Sequence, residues 1–271
     1  MIRDITIGQY YPGKSWLHKL DPRMKLILTF AVIVVIFLCK NFFSLGVVAL
    51  TAVAACVISK VPAKMILKSL KPIVIILIFT AILNVFYTAG GDVWFKWKFI
   101  EITSKGVYTA IFTMVRIVSL VVISSLLTYT TTPTMLTDGL ERILSPLRFF
   151  KIKVHTLAMM MTLALRFIPT LIEEIDRIMN AQKARGADLE TGGVIQRAKA
   201  LIPIFIPLMV SSFRRAYELA FAMTCRCYTG GEGRTRMKQM KLAARDFAAL
   251  AAVIAVTAGI IVLNYFFAPL I

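Results

Sequence analysis

Apolar positions along this chain have two textures. In the runs 26–38, 42–58, 72–87, 106–129 and 247–267 they are almost unbroken, whereas between Thr131 and Lys241 charges interrupt every run. With its flanking residues, each unbroken run approaches the roughly 20 residues a helix needs to cross a bilayer. The pattern therefore predicts five membrane spans. Lys40 and Asn41 make a tight break between the first two, and residues 88–105 read as a loop carrying Gly90, Gly91, Trp94 and Trp97. Those tryptophans, with Tyr87, suit a membrane–water interface.

The interrupted region predicts three amphipathic helices. Glu141, Arg142 and Arg148 punctuate the first, and residues 194–225, with Arg197, Lys199, Arg214, Arg215 and Glu218, form the third. The second, 155–186, places Leu157, Met161, Ala164, Leu165, Ile168, Leu171, Ile172, Ile175 and Ile178 at helical spacing. Its other surface carries Arg166, Glu173, Glu174, Arg177 and Lys183. Such helices suit the membrane interface or a cytosolic bundle. Stretches 159–171 and 201–212 are apolar enough to be short spans, which would make seven crossings. A crossing by the first would immerse Arg166 and its acidic neighbours at high cost, so the interfacial reading is preferred.

Composition agrees with a membrane protein. Of 271 residues, 58% are hydrophobic and 17% charged, against roughly 45–50% and about 25% in soluble domains. The net charge of +18 invites a nucleic-acid reading, but the basic residues gather in short segments between apolar runs, as the positive-inside rule expects. Segments 1–25 and 59–71 are basic while 88–105 is nearly neutral. The N-terminus is therefore expected in the cytoplasm and, after five spans, the C-terminus outside, in a multi-pass cell-membrane protein. The first apolar run starts behind a polar head and lacks the pattern of a cleavable signal peptide.

Candidate chemistry is sparse. Cys39 and Cys56 lie in apolar runs, Cys225 and Cys227 lack zinc or redox spacing, and no metal site or cofactor is expected. No phosphate-binding G-x-x-x-x-G-K-[ST] loop occurs. The first four spans have no interior acid, so ion-coupled transport lacks its usual residue. Arg116, near the middle of the fourth span, either snorkels toward the interface or bonds to Asn84 or a backbone carbonyl, or it anchors the helix bundle or a partner contact. Asn84 reads as interhelical glue.

The amphipathic region holds an internal echo. Phe167-Ile168-Pro169 precedes Arg185 as Phe205-Ile206-Pro207 precedes Arg226. Gly186 suits a helix end. Two readings stay open: arginines that cap their own helices, or two helix ends that present guanidinium forks to a cytosolic partner.

These pieces together carry a resemblance: Leu20-Asp21-Pro22-Arg23-Met24-Lys25, Thr131-Thr132-Pro133, the helix LRFIPTLIEEIDRIMNAQKARG and the second arginine helix end. The chain resembles, over essentially its whole length, the transmembrane (T) component of energy-coupling factor (ECF) transporters. The resemblance implies an all-α membrane protein of about five transmembrane helices plus long amphipathic coupling helices on the cytosolic side. Its parts would be 1–130 (N-terminal segment and four spans), 131–241 (coupling domain) and 242–271 (final span). It further implies a non-catalytic subunit joining two ABC-type ATPase subunits, which bind the ATP, to a substrate-binding S component for vitamin or micronutrient uptake. Ala184-Arg185-Gly186 and Cys225-Arg226-Cys227 would dock the ATPases, and Met160, Met161, Leu165, Ile168 and Leu208 would meet the S component. The second triplet keeps only the arginine, and Gly230-Gly231 would then end that helix. The alternatives are a cobalt- or nickel-dedicated T subunit, a self-sufficient secondary transporter, and a scaffold for a non-ATPase partner.

Overall fold

The computed structural model describes residues 10–88, 90, 93–97, 100–151, 153–187, 193–230 and 240–266. Gly231, residues 234–239 of the basic stretch 234–245 and the first residues of the N-terminal segment lie outside them. The described residues divide into two compact units, 10–143 with 240–266, and 144–230. The sequence expectation placed this boundary at 130/131. It falls later because the helix after Pro133 packs against the first helix of the larger unit.

In the larger unit, α1 (Pro22–Leu38) starts on Asp21, whose carboxylate accepts the Arg23 N–H at 2.9 Å, with Pro22 at the first helical position. Proline is suited there because that N–H has no helical partner. The chain continues through α2 (Phe42–Ser59), the short amphipathic α3 (Ala63–Leu70) and α4 (Val74–Tyr87). The expected loop at 88–105 instead contains a hairpin, β1 (Val93–Trp97) paired antiparallel with β2 (Ile100–Thr103). The β-branched and aromatic residues there favour a strand, a signal the glycines beside it obscured. Then follow α5 (Ser104–Thr130), α6 (Pro133–Ile143) and, at the end of the described chain, α9 (Ala244–Phe266).

Among the described residues, five helical segments are long and apolar enough to cross a membrane: Phe42–Ser59, Ala63–Tyr87, Ser104–Thr130, Val154–Ala184 and Ala244–Phe266. The number matches the expectation, but the set differs. The first expected span sits on α1, which at 17 residues is at the short limit. The helix expected at the interface joins the set because its first half is apolar apart from Arg166.

Ile36, Leu45, Val48, Phe112, Leu126, Tyr129 and Ile260 form the core among α1, α2, α5 and α9. Polar contacts tie these helices at one end. Asp246, 2% exposed, accepts the Asp21 N–H at 2.9 Å and the Ala243 N–H at 2.8 Å. Lys25 donates to the Thr130 carbonyl at 2.9 Å and to Thr131 Oγ1 at 3.2 Å, and Arg23 donates to the Met240 carbonyl at 3.0 Å. Gly139 lets α6 lie on α1, since a Cβ there would come within 3.2 Å of Pro22 Cβ. The Leu20–Lys25 and Thr131–Pro133 sequences thus meet through Lys25 and Thr131, while Asp21 and Arg23 find their partners in Asp246 and Met240.

The smaller unit begins with a 3-10 segment, Ser145–Phe150, so Arg148 does not share a helix with Glu141 and Arg142 as expected. Pro146 breaks the run, having no N–H to continue it. Two long helices follow, α7 (Val154–Ala184) and α8 (Val194–Cys225), with Pro169 inside the first and Pro203 and Pro207 inside the second.

Candidate docking tips and the helix pair that carries them

α7 and α8 pack as an antiparallel pair. Tyr228 hydroxyl meets Met159 Sδ at 3.0 Å, Arg215 pairs with Glu174 at 2.9 Å, and Gln182 donates to the Pro203 carbonyl at 3.5 Å. The last contact follows from the sequence of α8. Pro207 has no N–H, so the carbonyl four residues earlier loses its helical donor. That carbonyl belongs to Pro203, and the Gln182 amide reaches it from the neighbouring helix.

Both helices end the same way. At α7, Arg185 is the C-cap residue (φ −84°, ψ 5°), the Gly186 N–H donates to the Lys183 carbonyl at 3.0 Å, and the Ala187 N–H donates to the Gln182 carbonyl at 3.0 Å. At α8, Arg226 is the C-cap residue (φ −92°, ψ 18°), the Cys227 N–H donates to Thr224 at 2.9 Å, and the Tyr228 N–H donates to Met223 at 3.0 Å. This pair of bonds is the Schellman motif, which requires a left-handed residue just after the cap. Gly186 takes it at φ +83° and Cys227 at φ +54°. The expectation that Gly230-Gly231 would end the second helix is therefore corrected. Cys227 accepts the strained backbone itself, and Gly230, also at positive φ, lies beyond the finished cap.

The two triplets, Ala184-Arg185-Gly186 and Cys225-Arg226-Cys227, are exposed throughout. Among the described residues neither guanidinium has a hydrogen-bond or ion-pair partner. Because the helices are antiparallel, the arginines stand at opposite ends of the pair. Arg226 lies 23 residues beyond Pro203, which neighbours the Arg185 end, so the tips are on the order of 35 Å apart at 1.5 Å per residue.

Of the residues proposed for partner contact, Met160 and Met161 are 51% and 44% exposed, while Leu165, Ile168 and Leu208 are half-buried. The larger exposed apolar surface lies on α8: Ile206, Val210, Phe213, Tyr217 and Phe221 form a helical stripe, with Phe213 and Tyr217 over 70% exposed. Sequence reasoning passed over this stripe, although its three- and four-residue spacing was available to find it. The Glu174–Arg215 pair was also missed, since partners on two different helices, 41 positions apart, leave no local pattern in the sequence.

The intramembrane polar residues lie in the larger unit. Arg116 donates to the Cys39 carbonyl at 2.7 Å, and its guanidinium carbon stands 4.6 Å from the Phe112 ring centroid. Asn84 donates to the Thr80 carbonyl of its own helix at 2.9 Å. No group of three or more histidine, cysteine, aspartate or glutamate side chains able to hold a metal occurs among the described residues.

Comparison with known proteins identifies the family. The CbiQ family model, described as a cobalt transport protein, matches residues 13–237. The energy-coupling factor transporter transmembrane protein EcfT of Ruminiclostridium cellulolyticum is 49% identical over 267 residues, covering 98% of this chain and 100% of that one. The proteins of the same name from Clostridium kluyveri and Bacillus subtilis are 51% and 43% identical over 263 and 258 residues, covering 96% and 95% of this chain and 97% of each relative. With matches of this extent and identity, the chain belongs to the CbiQ family, as one of its energy-coupling factor transporter transmembrane components.

Proposed function

We propose that this chain is the mechanical coupler of an ECF-type ABC importer, with Arg185 and Arg226 as its two points of attachment to a pair of ATPase subunits. One observation carries this reading: two helices of one antiparallel pair end in the same cap and expose an arginine at the same cap position. A capping role alone would turn each guanidinium back onto its own last carbonyls. Instead, the carbonyls are taken by the backbone N–H groups of the Schellman bonds, leaving the planar, multiply donating arginine for an acceptor on another protein.

Attachment points on the order of 35 Å apart suit two ATPase subunits side by side rather than two contacts on one. When ATP draws those subunits together, force enters the α7–α8 pair at opposite ends and changes the crossing of the helices. The stripe from Ile206 to Phe221, with Met160, Met161, Leu165, Ile168 and Leu208, would pass that change to a membrane-embedded S component. Substrate binding and ATP hydrolysis belong to the partners, and the chain itself acts without a cofactor. On the positive-inside rule, the N-terminus is cytoplasmic, the α7–α8 tips lie on the cytosolic side and the C-terminus lies outside.

The test is co-purification. Arg185→Glu and Arg226→Glu, singly and together, should weaken ATPase retention at least tenfold and abolish ATP-dependent uptake, with the membrane-inserted yield unchanged. Full retention by the double variant would reject the docking assignment. A second reading, a subunit dedicated to cobalt or nickel, draws on the description of the family model. Uptake of a divalent metal but of no vitamin by the reconstituted complex would favour it.

A further inference from the structure

Within the larger unit a cavity of about 300 Å³ opens between α1, α2, α5 and α9. Its wall is apolar almost throughout, and among the described residues Lys25 is the one charged residue lining it. The lining residues run from Lys25 to Val35 on α1, from Ile58 back to Val48 on α2, and from Ala249 to Thr257 on α9. A stretch of ten residues rises about 15 Å, half of the roughly 30 Å hydrocarbon core of a bilayer. The cavity is therefore one leaflet deep.

Small side chains keep it open. Ala54, Ala55, Ala249 and Ala252 face it where leucine or phenylalanine would close it. Apolar cavities of about half this volume stay dry and take up small hydrocarbons, and an unfilled one forfeits the dispersion contacts of its walls. For helices standing in a membrane, the hydrocarbon at hand is an acyl chain.

One end of the cavity is polar. Trp16, 38% exposed, lines that end beside Lys25, the place an amphipathic ring takes at a membrane–water boundary. The Lys25 ammonium is engaged by Thr130 and Thr131. Lys19, next to the lining residue Leu20, and Lys60, two residues after the lining residue Ile58, are exposed. Basic side chains at this level each favour an anionic headgroup by about 1 kcal/mol.

We propose that this cavity binds one acyl chain of an anionic phospholipid, whose headgroup phosphate is met by Lys19 and Lys60. The site lies wholly in the larger unit and is independent of the docking of α7 and α8. It gives the protein a bound lipid as part of its membrane core.

The experiment titrates the full chain, in mild detergent, with phosphatidylglycerol and separately with phosphatidylcholine, reading bound lipid by native mass spectrometry. We expect one phosphatidylglycerol to saturate the site, held at least tenfold more tightly than phosphatidylcholine. Ala252→Phe and Ala55→Leu, made separately to fill the cavity from two helices, should each weaken that binding at least tenfold without lowering Tm. Lys19→Gln with Lys60→Gln should bring phosphatidylglycerol down to the level of phosphatidylcholine. The proposal is overturned if no lipid saturates, if the two filling variants bind as the parent does, or if the two lipids bind equally to the parent.

Discussion

Cys227 occupies at the end of α8 the left-handed backbone position that Gly186 occupies at the end of α7, and each closes the same two hydrogen bonds. The equivalence carries a cost on one side only. A residue with a Cβ pays about 1–2 kcal/mol in that region, while glycine enters it freely. Cys227→Gly should therefore raise the thermal stability of the α7–α8 unit, by at most about 1 kcal/mol after the added freedom of the unfolded chain is counted. Gly186→Ala should lower it by a similar amount through backbone strain alone, because nothing lies within 4 Å of the Cβ it would add. Thermal unfolding of the two variants in one detergent checks both signs.

Arginine and lysine should differ at the tips. If Arg185 docks by several directed bonds, Arg185→Lys keeps the charge but loses the fork. ATPase co-purification should then fall several-fold, between the parent and Arg185→Glu. A lysine variant that performs as the parent would mean that the contact needs charge alone.

The Glu174–Arg215 pair joins α7 to α8 at 2.9 Å, with side chains 23% and 32% exposed. Partly solvated pairs of this kind contribute roughly 1 kcal/mol or less. Glu174→Gln and Arg215→Gln should each cost about that much, and the double variant should cost less than their sum. The exchange Glu174→Arg with Arg215→Glu should recover most of the loss. A double-mutant cycle on Tm is the measurement.

Asp246 should prove far more sensitive. It is 2% exposed and accepts two backbone N–H groups from separate segments. Asp246→Ala leaves the buried Asp21 N–H without an acceptor, at about 1–3 kcal/mol, while the part-buried Ala243 N–H turns to water. The loss should appear as low membrane yield and early unfolding in detergent, and Asp246→Asn should retain part of the stability by accepting one of the two bonds.

Arg116 makes a comparable tie deeper in the same unit. It is bonded to the Cys39 carbonyl and stacked on Phe112. Arg116→Met should destabilise by about 1–3 kcal/mol through the lost charge-assisted bond, while Arg116→Lys should recover part of it. Detergent unfolding of the pair tests this.

Much of the molecule was legible in the residues themselves. Unbroken apolar runs announce membrane helices because a bilayer leaves a backbone no other partner for its polar groups, and helical spacing announced α7 and α8 with their arginine ends. The hairpin at Val93–Thr103 escaped because flanking glycines look like loop whether or not a strand lies between them. The division at Ile143 escaped because it depends on Gly139 meeting Pro22, a contact across more than a hundred residues of chain.

By itself the sequence determined the membrane character, the run of helices and the two arginines, since hydropathy and periodicity are local properties. Only the tertiary structure decided that those arginines share one cap geometry at opposite ends of an antiparallel pair, and that Cys227 does glycine's work. It also brought Asp21, Lys25, Thr131 and Asp246 to one place, and left a leaflet-deep cavity among four helices. The physical reason is the same in each case. Which carbonyl lacks a donor, and which small residue leaves a void, is settled by what packs against it.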